Sequence, residues 1–113
     1  MRMWKVDPRV LCREHLLAEH KEMHMFAGSI DHGKNLDGFI RNGIVEIDKV
    51  KQRHDELALE LEVRGYAHKS PLPYVQPYET KDVGHINVEA SLKTLRDRCA
   101  NCKEKQQESM EKP

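Results

Sequence analysis

The sequence predicts a compact, single all-α domain of three helices joined by long ordered loops. Apolar residues recur at helical spacing in three separate segments, and stretches rich in glycine, asparagine and proline lie between them. The chain has 113 residues, a length typical of one domain. Hydrophobic residues make up 38% and charged residues 34% of the chain, which is the composition of a soluble globular protein.

The first helix is expected to run from Pro8 to about Ala27. Asp7 can cap it, and Pro8 suits the first helical position because its missing N–H would have no intrahelical partner there. No other proline and no glycine interrupts this segment, and Gly28 and Gly33 are expected to end the helix.

The second helix is expected to start after Asp48 as its cap and to end at Gly65. One apolar face is predicted at positions i, i+4, i+7 and i+11, formed by Val50, His54, Leu57 and Leu61. Between the first two helices, a glycine-rich loop is expected to be held to the core by Phe39, Ile40, Ile44, Val45 and Ile47.

The third helix is expected to start near Asn87 and to carry an apolar stripe that ends in Cys99 and Cys102. The proline-containing segment before it, residues 66–84, is predicted to be a long ordered loop, and such loops usually carry function. Residues 1–103 are assigned to the folded domain. The polar tail 104–113 has no helical period and is expected to be disordered.

Charge and composition exclude some classes of protein. The 19 basic and 19 acidic side chains cancel, which does not favour a strongly basic nucleic-acid binder. No apolar run approaches the roughly 18 residues that span a membrane, and the MRMWK start lacks the apolar stretch of a secretory signal. A cytoplasmic protein is expected, whose three cysteines do not form a disulfide framework.

The segment REHLLAEHKEMH, residues 13–24, concentrates histidine and glutamate. Glu22 follows His15 by seven residues, so the two share nearly one helix face. His20 and His24 have the i, i+4 spacing of two metal ligands on a helix, but the segment lacks the H-E-x-x-H pattern of zinc proteases. A solvated face of mixed charge is the alternative interpretation.

The cysteines form two half-sites of equal spacing, Cys12-Arg-Glu-His15 and Cys99-Ala-Asn-Cys102. Three thiolates and one imidazole are the ligand set of a closed structural zinc site. Two alternatives stay open: the cysteines are inert core residues, because free cysteine behaves as a small hydrophobe, or they are a redox pair. His20 and His24 are the other candidates for the fourth ligand.

The chain start is a candidate nucleophile. A free α-amine has a pKa of roughly 7.7–8.0, so a useful fraction is unprotonated near neutral pH and can form an imine. The large side chain of Arg2 is expected to protect Met1 from removal, so that Met1 carries the amine. Trp4 is expected to anchor this segment in the core.

Three stretches together resemble the pyrimidine-dimer DNA glycosylase family, the ultraviolet-repair enzymes of the phage endonuclease V type. EHLLAEHKEMHMFAG resembles the family's first helix, QRHDELALELEVRGY ends in its Arg-Gly-aromatic close, and INVEASLKTLRDR resembles the start of its last helix. The resemblance covers residues 1–103. The chain departs from the family pattern at Met25, where the type enzyme has an arginine, and lacks that enzyme's aromatic C-terminal tail.

The resemblance implies an all-α DNA glycosylase with AP-lyase activity. Family members attack deoxyribose C1′ with the N-terminal α-amine, form an imine and nick the strand by β-elimination, assisted by a glutamate of the first helix. Met1 and Glu22 match these two groups. The residues expected to contact DNA phosphates are Arg2, Lys21, Arg53 and Arg98.

The implied substrate is double-stranded DNA, and the implied protein is a monomer in the cytoplasm of a bacterial or phage-infected cell. No cofactor is expected for catalysis, and a structural zinc ion at Cys12, His15, Cys99 and Cys102 is the candidate cofactor that remains. Two other functions compete: a zinc-stapled DNA- or protein-binding module without catalysis, and a metal-dependent nuclease that uses His20, His24 and Glu22.

Overall fold

A computed structural model describes residues 1–66, 70–72 and 74–111, with side chains as far as Ser109. The described part consists of helices and loops and contains no β-strand, which confirms the all-α prediction. The predicted number of three helices is wrong, because five are present: α1 (Arg13–Asp31), α2 (Asp37–Arg41), α3 (Val50–Val63), α4 (Val88–Arg98) and α5 (Ala100–Glu111).

The predicted first helix is divided near its start. Pro8–Val10 is a short 3-10 turn capped by the Asp7 carboxylate, which accepts from the Arg9 backbone N–H. Helix α1 begins anew after Cys12, whose sulfur accepts from the His15 backbone N–H. At its other end α1 continues through Gly28 to Asp31, and the chain turns at Gly33, where φ is +68°.

The predicted last helix is also divided. Asn87 is its N-cap as expected, with its side-chain oxygen accepting from the Ala90 N–H at 3.0 Å. Cys99 then adopts an extended conformation that separates α4 from α5. The prediction of a disordered tail from residue 104 is wrong as far as residue 111, because α5 continues there. Gln106 holds it in place: this side chain is 8% exposed and donates to the Leu92 carbonyl of α4.

The core lies mainly between α1 and α3, which pack against each other. The predicted inner face of α3 is confirmed, since each of its four residues is at most 2% exposed. The anchors predicted for the loop before α3 include three buried residues, Ile40, Val45 and Ile47. The loop after α3 is described except for residues 67–69 and 73, where its prediction lies outside the described residues.

Residues 1–6 run over this core as an irregular segment, in which Lys5 has a φ of +60°. The Met3 N–H donates to the Ile44 carbonyl at 2.8 Å, and the Trp4 N–H donates to the Glu19 carboxylate of α1 at 3.1 Å. Met3 and Val6 are fully buried. The chain start is therefore held by backbone hydrogen bonds on two sides, and Met3 and Val6 anchor it in the core.

A buried ion pair joins α1, α3 and the N-terminal segment. Arg53 of α3 donates hydrogen bonds to both carboxylate oxygens of Glu19, at 2.6 and 2.9 Å, and to the Val6 carbonyl at 2.7 Å. The exposed fractions are 2% for Arg53 and 0% for Glu19. With the Trp4 N–H as a further donor to Glu19, the polar groups of this junction satisfy one another.

In the described part of the chain, no helix combines the length and the apolar character needed to cross a membrane.

Replacing Arg53 by methionine is expected to destabilise the protein by about 3–5 kcal/mol, because the Glu19 carboxylate and the Val6 carbonyl would stay buried without their partner. Urea unfolding followed by circular dichroism measures this change. The matched control is Lys51→Met, on the same helix, which removes an exposed ion pair with Asp55 and is expected to cost at most about 1 kcal/mol. Equal losses for the two variants would contradict the assignment of the buried pair as a structural junction.

Candidate functional site

The two residues predicted to be catalytic, Met1 and Glu22, lie close together. The Arg2 backbone N–H and the ammonium group of Met1 are both near enough to the Glu22 carboxylate to favour its charged form. Glu22 is half-buried. Burial raises the pKa of Glu22 above its usual value, and the nearby ammonium and the Arg2 N–H only partly oppose that rise.

A second glutamate of α1 positions this pair. Glu19 and Glu22 are three residues apart and lie on one helix face. Glu19 accepts from the Trp4 N–H, and the Arg2 N–H lies near enough to Glu22 to lower its pKa, so two carboxylates of α1 face alternate N–H groups of the N-terminal segment. The sequence predicts that Glu19 shares a helix face with Glu22, but it does not indicate what Glu19 binds. The signal that was available is the i, i+3 spacing of the two carboxylates.

Three of the four predicted phosphate contacts lie at the surface or near it. Lys21 and Arg98 are exposed, and Arg2 is half-buried with its guanidinium carbon 3.8 Å from the centre of the Trp4 ring. Burial lowers the pKa of Arg2, and the nearby charge of Arg98 adds to this effect. Arg2 and Arg98 therefore form one region of positive charge beside the chain start.

Arg53 differs from the other three basic residues. Its side chain is almost fully buried, and its donors are engaged by Glu19, by the Val6 carbonyl and by Glu56. We therefore assign Arg53 a structural role and leave it out of the candidate DNA interface. The sequence could not show this burial, because the carboxylate partner lies 34 positions away.

The four predicted metal ligands come together where the start of α1 meets the junction of α4 and α5. One ligand atom from each of Cys12, His15, Cys99 and Cys102 lies within 4.8 Å of all the others. His15 Nδ1 is 3.1 Å from the Cys12 sulfur and 3.4 Å from the Cys102 sulfur. The Cys12 and Cys99 sulfurs are 3.8 Å apart.

These separations fit a tetrahedral zinc ion. With Zn–S bonds of ~2.3 Å and Zn–N bonds of ~2.0 Å, the edges of the tetrahedron are about 3.8 Å between sulfurs and about 3.5 Å between sulfur and nitrogen. Each sulfur also accepts a backbone N–H: Cys12 from His15, Cys99 from Cys102, and Cys102 from Cys12. Such donors stabilise thiolates. The three cysteines and His15 therefore fit a tetrahedral zinc ion.

The pKa values of the Cys99 and Cys102 thiols are shifted in opposite directions. Burial raises the pKa of Cys102 to about 12, since no cation lies among its described neighbours to compensate a charge there. For Cys99, burial alone would raise the pKa, but hydrogen bonds from the Cys102 N–H and from neighbouring groups lower it.

His20 and His24 do not assemble with Glu22. Their ring nitrogens form a separate group with His54 of α3, all within 4.8 Å of one another. Glu22 is two residues from each of the α1 histidines, which corresponds to about 200° around the helix and the opposite face. The constellation that a His20, His24 and Glu22 nuclease requires is therefore not formed.

Comparisons with known proteins identify the family of the chain. A family model described as pyrimidine dimer DNA glycosylase matches residues 1–74, which include the N-terminal segment, α1 and α3. Neither the curated proteins nor the solved structures gave a significant match. Because the matched region is well over half of the chain, the protein belongs to the pyrimidine dimer DNA glycosylase family.

Proposed function

We propose that the protein is a DNA glycosylase with AP-lyase activity whose nucleophile is the α-amine of Met1. The observation that carries the proposal is the placement of the chain start, where the Met1 amine and the Arg2 N–H are near enough to the half-buried Glu22 carboxylate to favour its charged form. Backbone hydrogen bonds of Met3 and Trp4 already hold the segment that carries this amine, which lowers the entropic cost of ordering it for attack.

In the proposed reaction, the unprotonated Met1 nitrogen forms a bond to C1′, and the base leaves with the electrons of the glycosidic bond. Loss of the amine proton and opening of the sugar ring then give an imine between Met1 and C1′. Removal of a C2′ proton breaks the C3′–O bond, and the 3′-phosphate leaves. Water finally hydrolyses the imine and frees the amine.

Glu22 is proposed to carry the protons of this sequence. Its carboxylate takes the proton that the attacking amine loses, and in the protonated form it protonates the ring oxygen as the sugar opens. Burial raises the pKa of Glu22, which makes its protonated form more accessible near neutral pH than that of an exposed glutamate.

Double-stranded DNA is proposed to bind across the chain start, with the protein acting as a monomer. Arg2, Lys21 and Arg98 would contact phosphates and set the register of the duplex. Since C1′ is shielded in a stacked duplex, the target nucleotide has to be displaced from the stack.

A structural zinc ion is proposed at Cys12, His15, Cys99 and Cys102. Four protein ligands leave no position for water, so the ion would supply stability and no catalytic step. The His15 ring packs edge-on against Trp4 with 5.8 Å between ring centres, and Trp4 in turn contacts Arg2. The ligand group is therefore connected by direct contacts to the segment that carries the nucleophile.

Borohydride added to protein and lesion-containing DNA is expected to trap a covalent adduct, because it reduces an imine to a stable amine. Mass spectrometry should place the adduct on the peptide that begins with Met1, and acetylation of the terminus should abolish it while DNA binding persists. Lys5→Arg is the control. It removes the lysine that is nearest to Met1 in the sequence and keeps the positive charge opposite Glu46, so borohydride should still trap the adduct. A non-catalytic binding module would give no adduct, and an adduct on a lysine would overturn the assignment of Met1.

Glu22→Gln is expected to keep fold and DNA binding but to lower kcat by about 10²–10⁴-fold, because glutamine cannot transfer the proton. Glu14→Gln, on an exposed position of the same helix, is the matched control and should be neutral. A Glu22→Gln variant with near-normal turnover would exclude the proposed role.

Removing zinc with a chelator is expected to lower Tm by on the order of 15 °C. A site filled at 1,000 times its Kd contributes about 4 kcal/mol, and each kcal/mol shifts Tm by about 4 °C in a domain of this size. Elemental analysis should find the metal, and Cys99→Ser, at a half-buried position, should make the chelator effect clearly smaller. Full stability in metal-free protein with three titratable thiols would identify the cysteines as core residues.

A further inference from the structure

The three histidines that the proposed function does not use form a compact group between α1, α3 and the loop after α3. The ring centres of His20, His24 and His54 are 4.7–5.0 Å apart in all three pairings. His54 is 1% exposed, His20 is 9% exposed and His24 is half-buried. One ring nitrogen of each histidine lies within 4.8 Å of the corresponding nitrogens of the other two.

These distances fit three imidazoles around one ion. For a tetrahedral ion with metal–nitrogen bonds of ~2.0–2.1 Å, the centres of ligating imidazole rings lie about 5 Å apart. The nitrogens themselves lie within 4.8 Å of one another, so movements of roughly 1 Å would bring them to the edge length of such a site, which is about 3.3 Å. Rotation about the side-chain torsions supplies movements of that size.

A fourth oxygen ligand is already near the group. The Ser70 carbonyl oxygen lies 3.0 Å from His24 Nε2 and 3.1 Å from His54 Nε2, close to the same tetrahedral edge. A carbonyl oxygen can only accept hydrogen bonds, so an Nε2 atom that bonds to it is the donor and would lose its proton on binding an ion. An ion bound there would be coordinated by this oxygen or by a water molecule in its place.

The partner of His54 on its other side is typical of metal-bound histidine. His54 Nδ1 lies 2.9 Å from the Asp55 carboxylate, which also holds Lys51 at 2.8 Å. A carboxylate on the distal nitrogen fixes the tautomer and ring orientation and makes the ligating nitrogen more basic. The Asp55–His54 contact therefore prepares Nε2 as a ligand.

We propose that His20, His24 and His54 bind a divalent first-row transition metal ion, with zinc as the simplest occupant. Three neutral imidazoles suit such ions and not magnesium or calcium, which prefer oxygen ligands. The ion would join α1 to α3 and to the loop at Ser70. It lies on the face of α1 opposite Glu22, so the site is independent of the proposed glycosylase chemistry and of the cysteine group.

Metal titration of the full-length protein tests the site. Wild-type protein is expected to bind one more equivalent of zinc than His24→Asn, and His32→Asn, an exposed histidine just past α1, is the matched control that should bind as wild type does. The same one-equivalent difference should persist in a Cys99→Ser background. With Co²⁺ as the probe, the equivalent lost in His24→Asn should show d–d absorption without a thiolate charge-transfer band.

Asp55→Asn provides a second measurement that leaves all three ligands in place. It is expected to weaken the cysteine-independent zinc equivalent by about 10–100-fold, because His54 loses its orienting carboxylate. Lys51→Met, which removes the other partner of Asp55, should have a smaller effect. Zinc stoichiometry unchanged in His24→Asn, or no zinc bound by the Cys99→Ser protein, would overturn the proposal and leave the trio as a packed, hydrogen-bonded junction.

Discussion

The buried contact between Glu19 and Arg53 is the interaction on which the rest of the structure depends. Burying two charges is costly, and a pair of well-packed apolar residues would often be as stable. What an apolar pair could not do is receive the Trp4 N–H and donate to the Val6 carbonyl. The ion pair therefore fixes where the N-terminal segment crosses the α1–α3 core, and it sets the position of every group at the chain start.

The same contact gives two neighbouring glutamates different chemistry. Glu19 is fully buried and occupied by a forked guanidinium and a backbone N–H. Glu22, one helical turn away, has no guanidinium partner of this kind and stays half-exposed. Burial raises its pKa, and the charge of the nearby Met1 ammonium only partly opposes that rise. Glu19 therefore binds the N-terminal segment, and Glu22 is the carboxylate that is proposed to transfer protons. Environment, and not residue type, separates the two roles.

What the sequence predicted well is local. The inner face of α3, the Asn87 cap and the end of α3 at Gly65 follow from periodicity and capping, and the cysteine group follows from two matched spacings. The breaks at Cys12 and Cys99 were missed because each is made by thiol contacts with a distant part of the chain. The burial of Arg53 was missed for a similar reason, since a charged residue is expected at the surface unless its partner is known.

A small domain that keeps a reactive group at its chain end has a specific physical problem. Chain termini lose order easily, and a core of this size leaves little energy to hold one. Here polar junctions along α1 supplement the apolar core: the His15 and cysteine group at its start and the glutamates in its middle. Both junctions contact Trp4, and the glutamates also reach α3 through Arg53. Backbone hydrogen bonds at Met3 and Trp4 thus hold the N-terminal segment within three residues of the proposed amine nucleophile.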